Sequence, residues 1–374
     1  MKVRLLTGLA TFGLIAAACG GTPTTTTAPG TTTPVTTPPT TVAPTTTQPA
    51  LDPLDGNKDG QVLIGVAAAG PRDDGGYYQA VVDAAIGFAA EKGWAEPLVV
   101  DNISAEAAAT EIDNIAQQGV DIMIIGASEI AAPMADLAAK YPDAFWYCNC
   151  GAGWPESPFY AQSQDDGSEI HYTAGVAMGQ LLKERNGDSV VMIGCCDLGF
   201  EKEAELASRL GLSTVDAGYT IDYVPTGNFP FDFDNVAGSI EAFNTAVAEG
   251  ADGIYPFLGA GLNPVGQAGN EAGVFVIAAG PSDACARTDV KWDMTVKFDG
   301  GDYVRAIFPG IVDGSVTEGA IKVFHVGIDK EPGAEICNAS PEAQTALDAA
   351  YAEVASGSLA EQFGLIKAEA YAAG

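Results

Sequence analysis

Short, wholly apolar runs alternate along this chain with longer segments whose apolar residues recur every three or four positions. Val62-Leu-Ile-Gly-Val-Ala67, Leu98-Val-Val-Asp101, Asp121-Ile-Met-Ile-Ile-Gly126 and Phe145-Trp-Tyr-Cys148 read as buried parallel strands. Between them, helices are expected over 78–92, 105–118, closed by Gly119, and 133–140. The rhythm then repeats. Helices over 170–185, 200–211 and 235–249 alternate with strands at 190–194, 220–225 and 253–257, and a further strand lies at 274–278. Strands alternating with helices predict α/β architecture with parallel, doubly wound sheets, here in two Rossmann-like lobes with a central cleft. Beyond Asp289 the pattern weakens to a strand at 294–298, a helix over 302–312 and an amphipathic segment over 341–355.

The second half holds the most informative stretch, Ile254-Tyr-Pro-Phe-Leu-Gly-Ala-Gly-Leu-Asn-Pro264. A strand ends at Phe257, breaks at Gly259-Ala260-Gly261 and restarts as a helix. That geometry aims backbone N–H groups and a helix N-terminus at the crevice where open α/β sheets bind ligands. The spacing is neither Gly-x-Gly-x-x-Gly nor a Gly-Lys-Ser/Thr phosphate loop. A plain tight turn is the competing reading.

The ends of the chain differ in kind. Lys2 and Arg4 precede an apolar run to Ala18, and Leu14-Ile-Ala-Ala-Ala-Cys19 resembles a bacterial lipoprotein cleavage box. Residues 1–19 are therefore expected to be a lipoprotein signal peptide with lipidation at Cys19, an ordinary signal peptide being the alternative. This would put the protein in the cell envelope, anchored to the outer face of the cell membrane. Residues 20–60 are expected to form a disordered tether, almost wholly Thr and Pro to Ala50. As polyproline, at about 3.1 Å per residue, that run would reach roughly 90 Å. Asp55-Gly-Asn57-Lys-Asp59-Gly60 matches half of a calcium loop, but Val66 stands where a bidentate Glu is required, so a polar turn is the better reading and no metal is expected.

Composition narrows the partners. The net charge of -32 repels nucleic acid and anionic membrane surfaces. Two histidines, His171 and His325, leave little for histidine chemistry, and neither Gly-x-Ser-x-Gly nor His-Glu-x-x-His occurs. No enzyme activity and no cofactor are expected. Beyond Cys19, the six cysteines Cys148, Cys150, Cys195, Cys196, Cys285 and Cys337 suggest disulfides in an exported protein. Their connectivity is open, with Cys285 and Cys337 the favoured pair.

In their shared order, several segments resemble the basic membrane protein family of bacterial substrate-binding lipoproteins, the nucleoside-binding components of ABC importers. They are Asp74-Gly-Gly-Tyr77-Tyr78-Gln79, Lys140-Tyr-Pro-Asp-Ala-Phe145, Tyr172-Thr-Ala-Gly175, Gly250-Ala-Asp-Gly-Ile254 through Gly261, and Thr295-Val-Lys297. The resemblance implies a type I periplasmic-binding-protein fold, with lobes at 61–164 plus 281–320 and at 165–280 plus 321–374. It also implies a solute, a nucleoside or similar, and an ABC permease as partners. The ligand-binding set expected from the first lobe is Asp74, Tyr77, Tyr78 and Ser128. From the later chain it is Phe200, Phe257, Gly259, Gly261, Asp283 and Lys297. Trp154 and Phe159 are rival aromatic clamps. One departure bears on the solute: Gly280 stands where the family carries an Asp for the ribose hydroxyls, leaving Asp283. A sugar or other polar solute therefore stays open, as does a ligand-sensing ectodomain for a membrane signalling partner.

Overall fold

In a computed structural model, residues 52–151, 154–227 and 232–372 are described. The expected signal peptide, Cys19 and the Thr/Pro run to Ala50 lie outside them. The described chain begins earlier than expected, because the 52–60 segment is tied to the domain. Asp121 Oδ1 accepts from the backbone N–H groups of Gly56 and Asn57, and the Trp94 indole donates to Asp52. Both carboxylate oxygens of Asp55 accept N–H groups of its own turn, at Asp59 and Gly60. The half calcium loop is thus a polar turn whose oxygens are already engaged.

The first lobe runs β1 (Ile64–Ala67), α1 (Tyr77–Lys92), β2 (Leu98–Val100), α2 (Ala108–Ala116), β3 (Ile122–Ile125), α3 (Met134–Lys140), β4 (Phe145–Asn149) and β5 (Ala161–Asp165). The second starts with α4 (Gly167–Arg185), β6 (Ser189–Gly194), α5 (Gly199–Val215), β7 (Thr220–Pro225) and α6 (Val236–Glu249). It continues through β8 (Gly253–Pro256), α7 (Leu262–Ala272), β9 (Phe275–Gly280) and β10 (Met294–Lys297). The chain then returns with α8 (Gly300–Asp313) and β11 (Ile321–Phe324), and ends in β12 (Gly333–Ile336), α9 (Pro341–Ala355) and α10 (Ala360–Ala370).

Two six-stranded sheets result, ordered β11-β5-β4-β3-β1-β2 and β12-β10-β9-β8-β6-β7. All pairings within them are parallel except β10 with β12. The central strands β1, β3 and β8 are buried at every position, as expected of strands covered by helices on both faces. In the first lobe, Ile112, Ile115 and Trp146 pack on one face of the sheet, and Val81, Val82 and Phe308 on the other.

The lobe boundaries need two corrections. Strand β10 lies in the second sheet, beside β9, although 281–320 was expected in the first lobe; only α8, packed against α1, returns there. Strand β11 lies in the first sheet, beside β5, although the chain from 321 was assigned to the second. The physical reason is edge pairing: the backbone of β5 is completed only by β11, and that of β10 by β12. The chain therefore crosses between lobes near Asp165, near Asp299 and near His325.

Candidate functional site

The carboxyl ends of the two sheets face one another across a cleft with about 180 Å³ of room, open to solvent on one side. On the first lobe its wall comes from the turn after β1, the 3-10 turn after β3 and the ends of β4 and β5. On the second it comes from the start of α4, Phe200 at the start of α5, the turn after β8, and Phe298 just after β10.

Asp74 precedes α1 and lines the cleft. Its carboxylate accepts the N–H groups of Gly76, Tyr78 and Gln79 at 2.8, 3.3 and 3.1 Å, so it also fastens the first turn of the helix. Burial nevertheless pushes its pKa up to about 6, and Asp234 across the cleft adds to the rise. Tyr77 donates to the carbonyl of Asn149 and Tyr78 to Oε1 of Glu129. Ser128 and Glu129 follow β3, where backbone turns expose side chains to the crevice. Oε2 of Glu129 is shut off from water and has no hydrogen-bond partner. Burial raises the pKa of this acid, with Asp234 contributing.

The second lobe supplies rings. Phe257 and Phe298 stack at 5.2 Å between centroids, 27° apart, and Phe200 and Phe233 at 6.1 Å, 24° apart. Phe200 approaches Phe257 at 6.0 Å, joining the two pairs into one wall. His171 sits beside it, 5.8 Å from Phe257. Its Nδ1 lies 2.8 Å from the carbonyl of Gly167, which only accepts, so Nδ1 carries the proton and Nε2 accepts from Tyr255. Burial lowers the His171 pKa to about 4 and keeps the ring neutral. At the lobe crossing, Asp165 accepts from Tyr303 at 3.0 Å, and burial, with Asp166 and Glu203 nearby, lifts it to about 6. Glu203 is engaged at both oxygens, by Ser168 and Tyr371.

The expected set divides. Asp74, Tyr77, Tyr78, Ser128, Phe200, Phe257 and Gly259 all line the cleft. Gly261, Asp283 and Lys297 do not. Gly261 caps α7, where a Cβ would meet Ser239 Oγ at 2.7 Å, so its smallness serves packing. Asp283 pairs with Arg287, one helical turn on, and its side chain is 65 % exposed. Lys297 points to Glu335 on β12, because the pleat sends it away from its neighbour Phe298. Of the rival clamps, Trp154 donates to Tyr160 and packs on the first-lobe core, and Phe159 is exposed. Gly280 has φ +103°, a conformation that disfavours the Asp of the resembled family, and Phe298 packs beside it. Phe229 and Phe231 lie outside the described residues.

Glu129, Asp165, His171, Phe233 and Phe298 were not anticipated as site residues. Glu129 follows the end of β3 by four positions, the place in an α/β sheet where ligand groups gather, and that rule was the available signal.

The cysteines pair as Cys148–Cys150, Cys195–Cys196 and Cys285–Cys337, the last as expected. Asp166, Glu169 and His325 place one ligand atom each within 4.8 Å of the others. Their bonds are already spoken for: Lys367 on Asp166, and His325 with the Val326 N–H on Glu169. The group ties two crossings of the chain together. Among the described residues, no helix is long and apolar enough to cross a membrane.

No family model matches the chain, and neither does any curated protein. Solved structures do. An ABC transporter solute-binding protein from Conexibacter woesei aligns at TM-score 0.61 and 21 % identity, over 80 % of this chain and 97 % of that one. One from Aeropyrum pernix aligns at TM-score 0.67 and 13 % identity, over 83 % and 99 %. A transcriptional activator of the comK gene from Bacillus halodurans aligns at TM-score 0.59 and 14 % identity, over 78 % and 96 %. The fold is thus of the type I periplasmic-binding-protein kind, as expected.

Proposed function

We propose that this chain is the solute-capturing component of an ABC importer, which closes its lobes on a small polar solute and presents it to a permease. One observation carries the reading: the cleft is walled by rings of the second lobe and closed on the other side by tyrosines and acids of the first. Such a wall suits a solute with a flat or compact apolar body, each stacked base of which contributes roughly 1–3 kcal/mol. The resemblance to the basic membrane protein family makes a nucleoside the first candidate. Gly280, which the ribose-gripping Asp of that family would replace at the expense of a strained backbone, favours a second reading with another polar solute. In this reading Cys19 is lipidated, and the Thr/Pro run holds the domain away from the outer face of the cell membrane. Binding, not catalysis, is the work of the site.

The test is a thermal-shift screen of the full-length chain against nucleosides, sugars and amino acids. A rise of several degrees with one class assigns it. No shift with any class, and no small molecule released on denaturing freshly purified protein, would end the capture reading.

A further inference from the structure

Four carboxyl groups, Asp74, Glu129, Asp165 and Glu203, line the cleft, and no Lys or Arg is among the described lining residues. The one histidine there, His171, is kept neutral by burial, its Nδ1 proton resting on the Gly167 carbonyl. These acids are not equally free. Asp74 is satisfied by three N–H groups, Glu203 by two hydroxyls, and one oxygen of Asp165 by Tyr303. Glu129 stands apart. Tyr78 fixes Oε1 at 3.0 Å, while Oε2 is shielded from water without a partner. A buried carboxylate oxygen left so is costly, and a cation seated in the cleft beside Glu129 offsets that cost through its charge.

We propose that the solute carries a positively charged nitrogen, an ammonium or amidinium group on a compact or flat body, and that Glu129 is its counter-ion. The inference rests on the capture reading above and narrows it to a substrate class. Three features converge on the same sign of charge. Glu129 is an oriented carboxylate on the cleft wall, and the neighbouring acids add negative potential with no Lys or Arg among the described lining residues to neutralise it. The faces of Phe200, Phe257 and Phe298 attract cations through their ring quadrupoles. A net charge of -32 concentrates cations at the mouth of such a cleft. Tyr78 is a positioning residue here: its hydroxyl holds the carboxylate in one orientation.

The experiment is calorimetry on the full-length chain with solutes matched in shape and differing in charge. Phenethylamine is set against 2-phenylethanol and phenylacetate, and choline against its neutral tert-butyl isostere, with adenosine, cytidine and ribose alongside. The expected result is binding by one or both cations, with their neutral and anionic counterparts at least about tenfold weaker. Glu129→Gln, nearly isosteric, should weaken the cation at least about tenfold, and Tyr78→Phe by a smaller factor, with both variants folded by circular dichroism. Affinity for the cation should rise with pH as the acids ionise. Binding of nucleosides or ribose without the cations, or affinity that falls with rising pH, overturns the cation assignment and leaves capture standing. Binding of nothing in the set, with no solute released from the purified protein, overturns both.

Discussion

Arg287, in the second lobe, donates from Nη1 to the backbone carbonyl of Gly75 in the first, at 2.6 Å. The same guanidinium holds Asp283 through Nε at 2.8 Å, so Asp283 steadies a latch instead of touching solute. Gly75 lies next to Asp74, and its φ of +72° lets the turn bring that carbonyl forward. The contact ties the two lobes together beside the cleft, and on the capture reading it is one that opening of the lobes would break.

Arg287→Ala should therefore favour the open form. A charge-assisted bond at a partly exposed site contributes about 1.5 kcal/mol, which predicts solute affinity weakened about tenfold, mainly through faster release. Stopped-flow dissociation and small-angle scattering of the solute-free chain measure the two consequences. Unchanged release and an unchanged radius of gyration would remove the latch.

Asp74 and Glu129 both line the cleft, but their substitutions should read out differently. Asp74→Ala strips three backbone N–H groups of their acceptor at the start of α1 and should destabilise the chain by roughly 1–3 kcal/mol, besides weakening binding. Glu129→Gln leaves the Tyr78 contact possible and should lower affinity with little change in Tm. Melting curves and titrations of both variants decide; equal loss of stability in the two would contradict the separation.

The α/β rhythm was legible because β1, β3 and β8 are apolar throughout and burial on both faces requires that. Strand β5 was not, because Gln162 and Ser163 sit where a buried strand usually has aliphatic residues. Ser163 belongs to a bonded chain with Tyr147 and Asn149, a satisfaction that no local pattern reveals. Helix α10 also went unread; its exposed Leu365 blurs the amphipathic stripe. In the site, Phe257 was recoverable since a strand end and a glycine turn are local signals, whereas Tyr77 was reached through the family resemblance. Phe298 was missed beside Lys297 because only the register of β10 decides which of the two faces the cleft. Glu129 reads as a loop acid until Tyr78, 51 residues earlier, is seen to hold it.

Helices α4 and α5 approach closely enough that glycines are required at their contact. A Cβ on Gly211 would lie 2.2 Å from the carbonyl oxygen of Tyr172, and one on Gly175 2.0 Å from that of Ser208. Both obstacles are backbone, which yields less readily than a side chain. Gly211→Ala should cost about 1–3 kcal/mol and lower Tm by several degrees, although alanine is the better helix former. A thermal melt at or above the parent value would show that the helices can part without loss.

The pH dependence follows from Asp74 and Asp165, both raised by burial from 3.8 to about 6. Asp74 faces Asp234, and Asp165 faces Asp166 and Glu203, with the phenols of Tyr303 and Tyr77 close by. A carboxyl group raised on folding holds its proton better in the native state than in the unfolded one. Its contribution is therefore fully present below about pH 4 and is lost as pH climbs through about 6. At roughly 1.4 kcal/mol per unit, each group removes roughly 3 kcal/mol by neutral pH. His171, lowered by burial to about 4, acts in the opposite sense across part of the same interval and offsets some of this gain, whereas surface acids with lowered values, Asp101 and Asp113 among them, do so only below the ordinary carboxylate range. The solute-free chain should accordingly melt higher near about pH 5 than near about pH 7.5. A bound cation favours the ionised acids and reverses the trend, so the shift it produces should grow across the same interval. Differential scanning calorimetry with and without a bound amine reads both slopes. A solute-induced shift that shrinks as the acids ionise would mean that the ligand needs a protonated carboxyl, and the charge assigned to it would be wrong.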